Sequence, residues 1–133
     1  MKLTVRSEYA LLALTYLARQ TEVKYETVEK IAKTQGIPPK FLEHLMLSLK
    51  RAKYVISLKG HGGGYKLHKP AEKISIAEII RLFDGALAPT ESVSKYFYES
   101  TPIEKEKKMV KVFKQIRDYI SETLENTTIA DMK

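Results

Sequence analysis

Apolar residues change their spacing several times along this chain, and each change marks an element. Tyr9 to Ala18 is apolar nearly all round, the pattern of a helix buried on most sides, with Thr4 or Ser7 placed to cap it. A polar connection follows over residues 20–25. Val28, Ile31 and Ala32 then give the inner face of a second, short helix with Thr27 as its cap. Gly36 stands where a turn needs a residue free to take positive φ. Pro39 suits a first helical turn, and from it Leu42, Leu45, Met46 and Leu49 recur at i, i+3, i+4 and i+7 as one apolar stripe running to about Ala52. Lys40, Glu43, His44, Leu47 and Lys50 occupy the opposite face. No glycine closes this helix. Lys53 takes the expected position, at a cost of about 1 kcal/mol if it is left-handed. Val55–Leu58 and Tyr65–Leu67 then flank the tip Lys59-Gly60-His61-Gly62-Gly63-Gly64, the signature of a hairpin. Two helices joined by a glycine-containing turn and followed by such a wing make a winged helix-turn-helix.

Beyond Pro70 the pattern returns to helix. Ser75-Ile76-Ala77-Glu78 reads as a capping box, and the helix behind it carries Ile79, Ile80 and Phe83 and stops at Asp84-Gly85. Residues 86–100 show no clean period and read as a loop, with room for one helical turn. Thr101-Pro102-Ile103-Glu104 reads as a second capping box, opening a helix to about Glu125, roughly 36 Å long at the usual rise. Met109, Val112, Phe113, Ile116, Tyr119, Ile120 and Leu124 form its narrow apolar stripe. Such a stripe packs on a partner helix or back on its own domain, and spacing alone does not choose. Asn126 ends the helix, and Thr128-Ile129-Ala130-Asp131 caps a last short turn. The expected architecture is mostly α with a small β-hairpin: a winged helix over 1–85, a linker or sensor loop over 86–101, and a long C-terminal dimerisation helix with its tail over 102–133.

Charge sharpens this division. The formal net charge is +7, but residues 1–73 carry +8 and residues 74–133 carry −1. A polyanion partner is therefore expected for the winged-helix half alone. The chain has no cysteine, which removes disulfides, thiolate metal sites and cysteine nucleophiles together. The three histidines fall on a helix, a wing tip and a strand end, with no metal-ligand spacing among them. No nucleophile-elbow or H-E-x-x-H pattern is present, so an enzyme is not expected. The run Tyr9–Ala18 is too short to span a bilayer and lacks a signal-peptide cleavage pattern, so a cytoplasmic protein is expected.

The chain resembles the IscR/NsrR/CymR-like family of bacterial winged-helix transcriptional regulators. The resemblance runs through Lys2-Leu3-Thr4 with Tyr9-Ala10, Gln35-Gly36-Ile37, Phe41-Leu42-Glu43 and the wing Lys59 to Leu67, and closes on Asn126 to Asp131. The glycine-rich wing and the T-x-A-D end are together fairly specific. The resemblance implies a repressor-type homodimer held by the long C-terminal helix, through Met109, Val112, Phe113, Ile116 and Ile120. It also implies one winged helix on each half of a pseudo-palindromic operator. Cluster-binding members supply three cysteines before that helix. Here Ala88 to Lys108 has no cysteine and no histidine, so a cysteine-ligated iron–sulfur switch is excluded and no cofactor is expected.

Candidate contacts to double-stranded DNA are Thr4, Arg6, Lys40, Phe41, Glu43, His44, Lys59 and His61. Phosphate contacts supply most of the affinity and base-edge contacts the sequence readout. Glu43 is the informative one. A carboxylate on that face is repelled by phosphate, so in the groove it accepts from cytosine N4, and otherwise it pairs with Lys40 or Lys50. Lys59 enters a minor groove or holds a phosphate. His44 reads better as an ordinary surface histidine than as a base contact, and the wing glycines as a tight hairpin. Tyr96, Phe97 and Tyr98 either pack their loop on the dimerisation helix or line a site for a small-molecule or protein effector beside it. Two alternatives remain for the whole chain, a protein-interaction module and a winged helix that binds nucleic acid without sequence preference.

Overall fold

The computed structural model describes residues 1–133. Its elements run α1 (Val5–Arg19), α2 (Val28–Gln35), α3 (Pro39–Arg51), β1 (Val55–Leu58), β2 (Gly64–Leu67), α4 (Ile76–Asp84) and α5 (Lys107–Glu125). Short 3-10 turns lie at Ala71–Lys73, Glu91–Val93, Pro102–Lys105 and Ala130–Met132. The fold is mostly α with one small antiparallel hairpin, as the apolar pattern predicts.

α1 is the element the others pack on. Its Ala10, Ala13 and Leu14 join Ile31 of α2, the α3 stripe Leu42, Leu45, Met46 and Leu49, Val55, Ile74 and Ile79 in one core. Fully burying side chains of this size contributes roughly 1.5–3 kcal/mol each relative to exposure. The far end of the chain closes the same core. Ile129 is fully buried there, its N–H donates to the Ile74 carbonyl at 2.9 Å, and the Ile76 N–H donates to Thr127 at 2.8 Å.

The helix ends follow the local signals. The Ser7 N–H donates to the Thr4 hydroxyl and the Lys30 N–H to that of Thr27. Gly36 ends α2 at φ 68°. Lys53 takes the left-handed conformation at φ 68°, where Tyr54 N–H donates to Leu49 O and Lys53 N–H to Lys50 O, both at 2.9 Å. Those two bonds form a Schellman ending, which offsets the strain of a non-glycine residue. The hairpin pairs Val55 with Leu67 and Leu58 with Gly64. It is tied to the start of α2, because Glu26 and Tyr65 exchange both backbone hydrogen bonds, at 2.7 and 2.8 Å. Gly64 makes that approach possible. At φ 137° a Cβ there would lie 2.2 Å from the Glu26 carbonyl oxygen.

Of the two predicted capping boxes, one forms. Ser75 N–H donates to the Glu78 carboxylate at 2.8 Å, and Glu78 N–H donates to the Ser75 hydroxyl at 3.1 Å. The box at Thr101 does not form, and the predicted helix from Pro102 starts instead at Lys107. Both members have other partners. The Thr101 hydroxyl donates to Ser92, while Glu104 accepts from the Tyr98 and Ser100 hydroxyls. Pro102–Lys105 is left as a 3-10 turn, and Glu106, at φ −108° and ψ 91°, separates it from α5. The helix is therefore roughly 28 Å long at 1.5 Å per residue.

The stripe on α5 also divides. Ile120 and Leu124 turn inward onto Ala77, Ile80 and Leu87. Met109, Val112, Ile116 and Tyr119 stay outside, with Phe113 half-buried between the two sets. No helix is long and apolar enough to cross a membrane.

Candidate nucleic-acid interface

The α3 stripe decides which residues face out. With Leu42, Leu45, Met46 and Leu49 held in the core, Lys40, Phe41, Glu43, His44, Leu47 and Lys50 are exposed together on the other side. Pro38 gives no side-chain cap, so α3 begins on Pro39 alone, and its first turn presents Lys40, Phe41 and Glu43. That end of a second helix is the part that reaches base edges in helix-turn-helix proteins.

The candidate residues separate by environment. Phe41 is anchored, with its ring edge-on to Tyr9 at 5.5 Å between centroids. Arg6, at the start of α1, lines a shallow depression of about 250 Å³ with Phe41, His44, Leu45 and Ser48. Arg6 and His44 thus come together on the α3 face, which sequence spacing does not show. Thr4 is less free than expected. Its N–H donates to Asp84 at 3.1 Å and its hydroxyl to the other oxygen of that carboxylate, so in this corner Arg6 and Lys2 are left to meet a phosphate. Lys59 and His61 stand exposed on the hairpin tip, away from this depression.

Glu43 lies within electrostatic reach of the wing. Tyr65, half-buried on β2, has its hydroxyl pushed up by burial and then by the Glu43 carboxylate nearby. Behind this face, the Tyr54 hydroxyl donates to Glu78 at 2.7 Å and Lys69 to the same oxygen at 3.1 Å. That network fixes the end of α3 and the root of the wing on α4. Sequence reading missed Tyr65 and Asp84. Each acts across a long stretch of chain, and no local pattern signals it.

Residues 3–133 match the model of the Rrf2 family, described as iron-dependent transcriptional regulator. The chain belongs to the Rrf2 family. An Rrf2-like helix-turn-helix transcriptional regulator of Rhodobacter capsulatus is 40% identical over 100 residues, 73% of this chain and 67% of that one. The structure of CymR, the global cysteine regulator of B. subtilis, matches at a TM-score of 0.79 and 27% identity, covering 99% of this chain and 95% of that one. T. potens IscR matches at 0.75 and 26%, covering 99% and 85%. These relations bear out the resemblance read from the wing and the chain end. This Rrf2 chain is a DNA-binding transcriptional regulator.

The iron in the family description does not fit the donors here. The chain has no cysteine, and nowhere do three His, Asp or Glu side chains come together to hold a metal ion. In place of a ligand loop, residues 86–101 are pinned by two arginines. The Arg117 guanidinium donates to the Val93 carbonyl at 2.8 Å. Arg81 stacks on the Tyr96 ring at 4.8 Å and pairs with Glu125 at 2.7 Å. Tyr96, Phe97 and Tyr98 are all exposed. Tyr96 meets Arg81 of α4, and Tyr98 donates to Glu104 on the 102–105 turn.

Proposed function

We propose that this Rrf2 regulator binds operator DNA as a homodimer paired through the outer face of α5, without a cysteine-ligated cluster. One winged helix takes each half-site of a two-fold pseudo-palindrome, and the family resemblance supports repression as the sign of regulation. The observation that carries the dimer is the outward row on α5. Met109, Val112, Ile116 and Tyr119 are 53%, 51%, 42% and 74% exposed at spacings of three, four and three. An apolar row of that kind on a small domain marks an interaction surface. Charge favours an antiparallel pairing. The start of α5 is lysine-rich, with Lys107, Lys108, Lys111 and Lys114, and its end carries Glu122 together with Asp118 and Glu125, which already pair with Arg117 and Arg81. Head-to-tail alignment sets each lysine-rich start against an acidic end. A symmetric dimer then presents two equal recognition helices to a symmetric site.

Selection of bound duplexes from random sequence by the purified protein tests this reading. The expected result is a two-fold symmetric motif bound with affinity that falls steeply as salt rises. Lys59→Ala weakens all duplexes alike. Glu43→Ala relaxes discrimination at one base pair per half-site, by roughly 1–3 kcal/mol. Equal losses on selected and random DNA for both variants would remove this division of roles. Salt-insensitive binding of a protein with no affinity for DNA would favour an interaction module instead.

A further inference from the structure

Arg6 is exposed on the first turn of α1, at the edge of the depression it shares with Phe41 and His44. It is held there from behind by the last turn of α4. Its guanidinium carbon lies 5.3 Å over the Phe83 ring. The next residue, Asp84, accepts both donors of Thr4, the residue that caps α1 two positions before Arg6. Partial burial alone would raise the Asp84 carboxyl, but the Thr4 hydrogen bonds, then the nearby Ser7 hydroxyl and last the Arg6 charge outweigh it and hold it below the usual carboxylate range. The carboxylate also sits at the positive end of α1, where backbone N–H groups would otherwise draw an anion. A phosphate approaching this corner therefore finds the helix terminus taken and the guanidinium presented.

We infer that Asp84 is a positioning residue for DNA binding, which with Phe83 fixes Thr4 and Arg6 so that the guanidinium meets a backbone phosphate beside α3. This rests on the DNA-binding reading above. A long arginine side chain that is ordered before DNA arrives loses less freedom on binding, so restraint appears directly as affinity. Asp84 has no need to touch DNA to do this. Its effect passes through Arg6.

A double-mutant cycle in the full chain tests the assignment. Arg6→Ala, Asp84→Ala and the double variant are titrated with a selected duplex and with a fixed duplex of random sequence, across a salt series. Arg6→Ala is expected to lower affinity for both duplexes by about tenfold and to reduce the salt slope by about one. Asp84→Ala is expected to lower affinity several-fold with a reduced slope. The double variant should bind no more weakly than Arg6→Ala. Asp84→Asn, which keeps an acceptor for Thr4, should fall between wild type and Asp84→Ala. Thr4→Val removes the hydroxyl donor while leaving the carboxylate, and takes the place of Asp84→Ala in the cycle if that variant melts early. Additive losses, or an Asp84→Ala or Thr4→Val protein that binds like wild type with an undiminished slope, would overturn the inference. If wild type binds no duplex, the DNA-binding reading fails. If wild type binds and Arg6→Ala weakens it while the cycle is additive, only the positioning role fails.

Discussion

In residues 1–85 Leu14, Ile31, Leu42, Met46, Leu49 and Ile79 are shielded from solvent in one core, while Leu12, Val23, Phe41, Leu47, Leu58 and Leu82 stay exposed around it. In residues 86–125 many turn outward: Tyr96, Phe97 and Tyr98 on the segment, Met109, Val112, Ile116 and Tyr119 on α5. The first region is closed by one core, which Ile129 from the end of the chain completes. The second is attached to it by a few contacts, Arg81 on Glu125 and on the Tyr96 ring, and Ile120 with Leu124 on the side of α4. Charge divides with them, at +7 over residues 1–85 and zero over residues 86–133. One region thus completes its fold and offers charge to a polyanion. The other leaves apolar surface that a second chain would cover.

The variant that separates the two regions most sharply is Val112→Glu with Ile116→Glu. Both side chains are exposed in the single chain, so the winged-helix body should melt as in wild type. In a dimer paired through this face, each new carboxylate would be buried without a partner, which costs several kcal/mol. The dimer dissociation constant should rise by at least about a hundredfold, read by sedimentation equilibrium. Sedimentation identical to wild type would place the interface elsewhere. Phe113 is a poorer choice although the sequence stripe includes it. It is half-buried against its own chain, and its replacement would disturb both regions at once.

The same contrast explains which features the sequence displays. Over residues 1–85 local and long-range preferences agree. Thr4, Thr27, Gly36, Lys53 and Ser75 do in the structure what their neighbours predict. Ser75-x-x-Glu78 and Thr101-x-x-Glu104 are the same motif, yet only the first caps a helix. The second is drawn off by Ser92, Tyr98 and Ser100, partners whose approach depends on how residues 86–101 fold. The α5 stripe divides for a similar reason, since α4 takes Ile120 and Leu124 and leaves the rest. At the candidate site, the exposed α3 face is readable from its stripe. The Asp84 grip on Thr4 spans eighty positions and is not. Substitution tests the difference between the two motifs. Ser75→Ala should lower unfolding stability by about 1 kcal/mol. Thr101→Ala should stay within roughly 0.5 kcal/mol. Denaturant midpoints compare the two, and equal losses would show Thr101 acting as a cap.

The smallest expected effect is one of pH, because each region holds a tyrosine on a glutamate. Burial alone would raise the Glu78 carboxyl, but hydrogen bonds from the Ser75 N–H, Tyr54, Lys69 and the Ser75 hydroxyl hold it below its ordinary value of 4.5. Glu104 is lowered chiefly by the Tyr98 hydroxyl and then by Ser100. A carboxyl depressed by folding stabilises the native state above its unfolded value, and that contribution is lost as pH falls through the folded value. Stability should therefore decline once pH drops below about 4.5, with Asp84, lowered in the same direction, adding to the decline. Glu78 lies half-buried in a network, whereas Glu104 pairs with the exposed Tyr98 at the surface, where screening removes most of such a gain. Glu78→Gln should lower stability at neutral pH and flatten the acid limb of the stability curve. Glu104→Gln should leave both close to wild type. Thermal melts from pH 3 to 7, at low and high salt, distinguish the outcomes. Equal flattening by both variants would mean that the exposed segment is held as firmly as the winged-helix body.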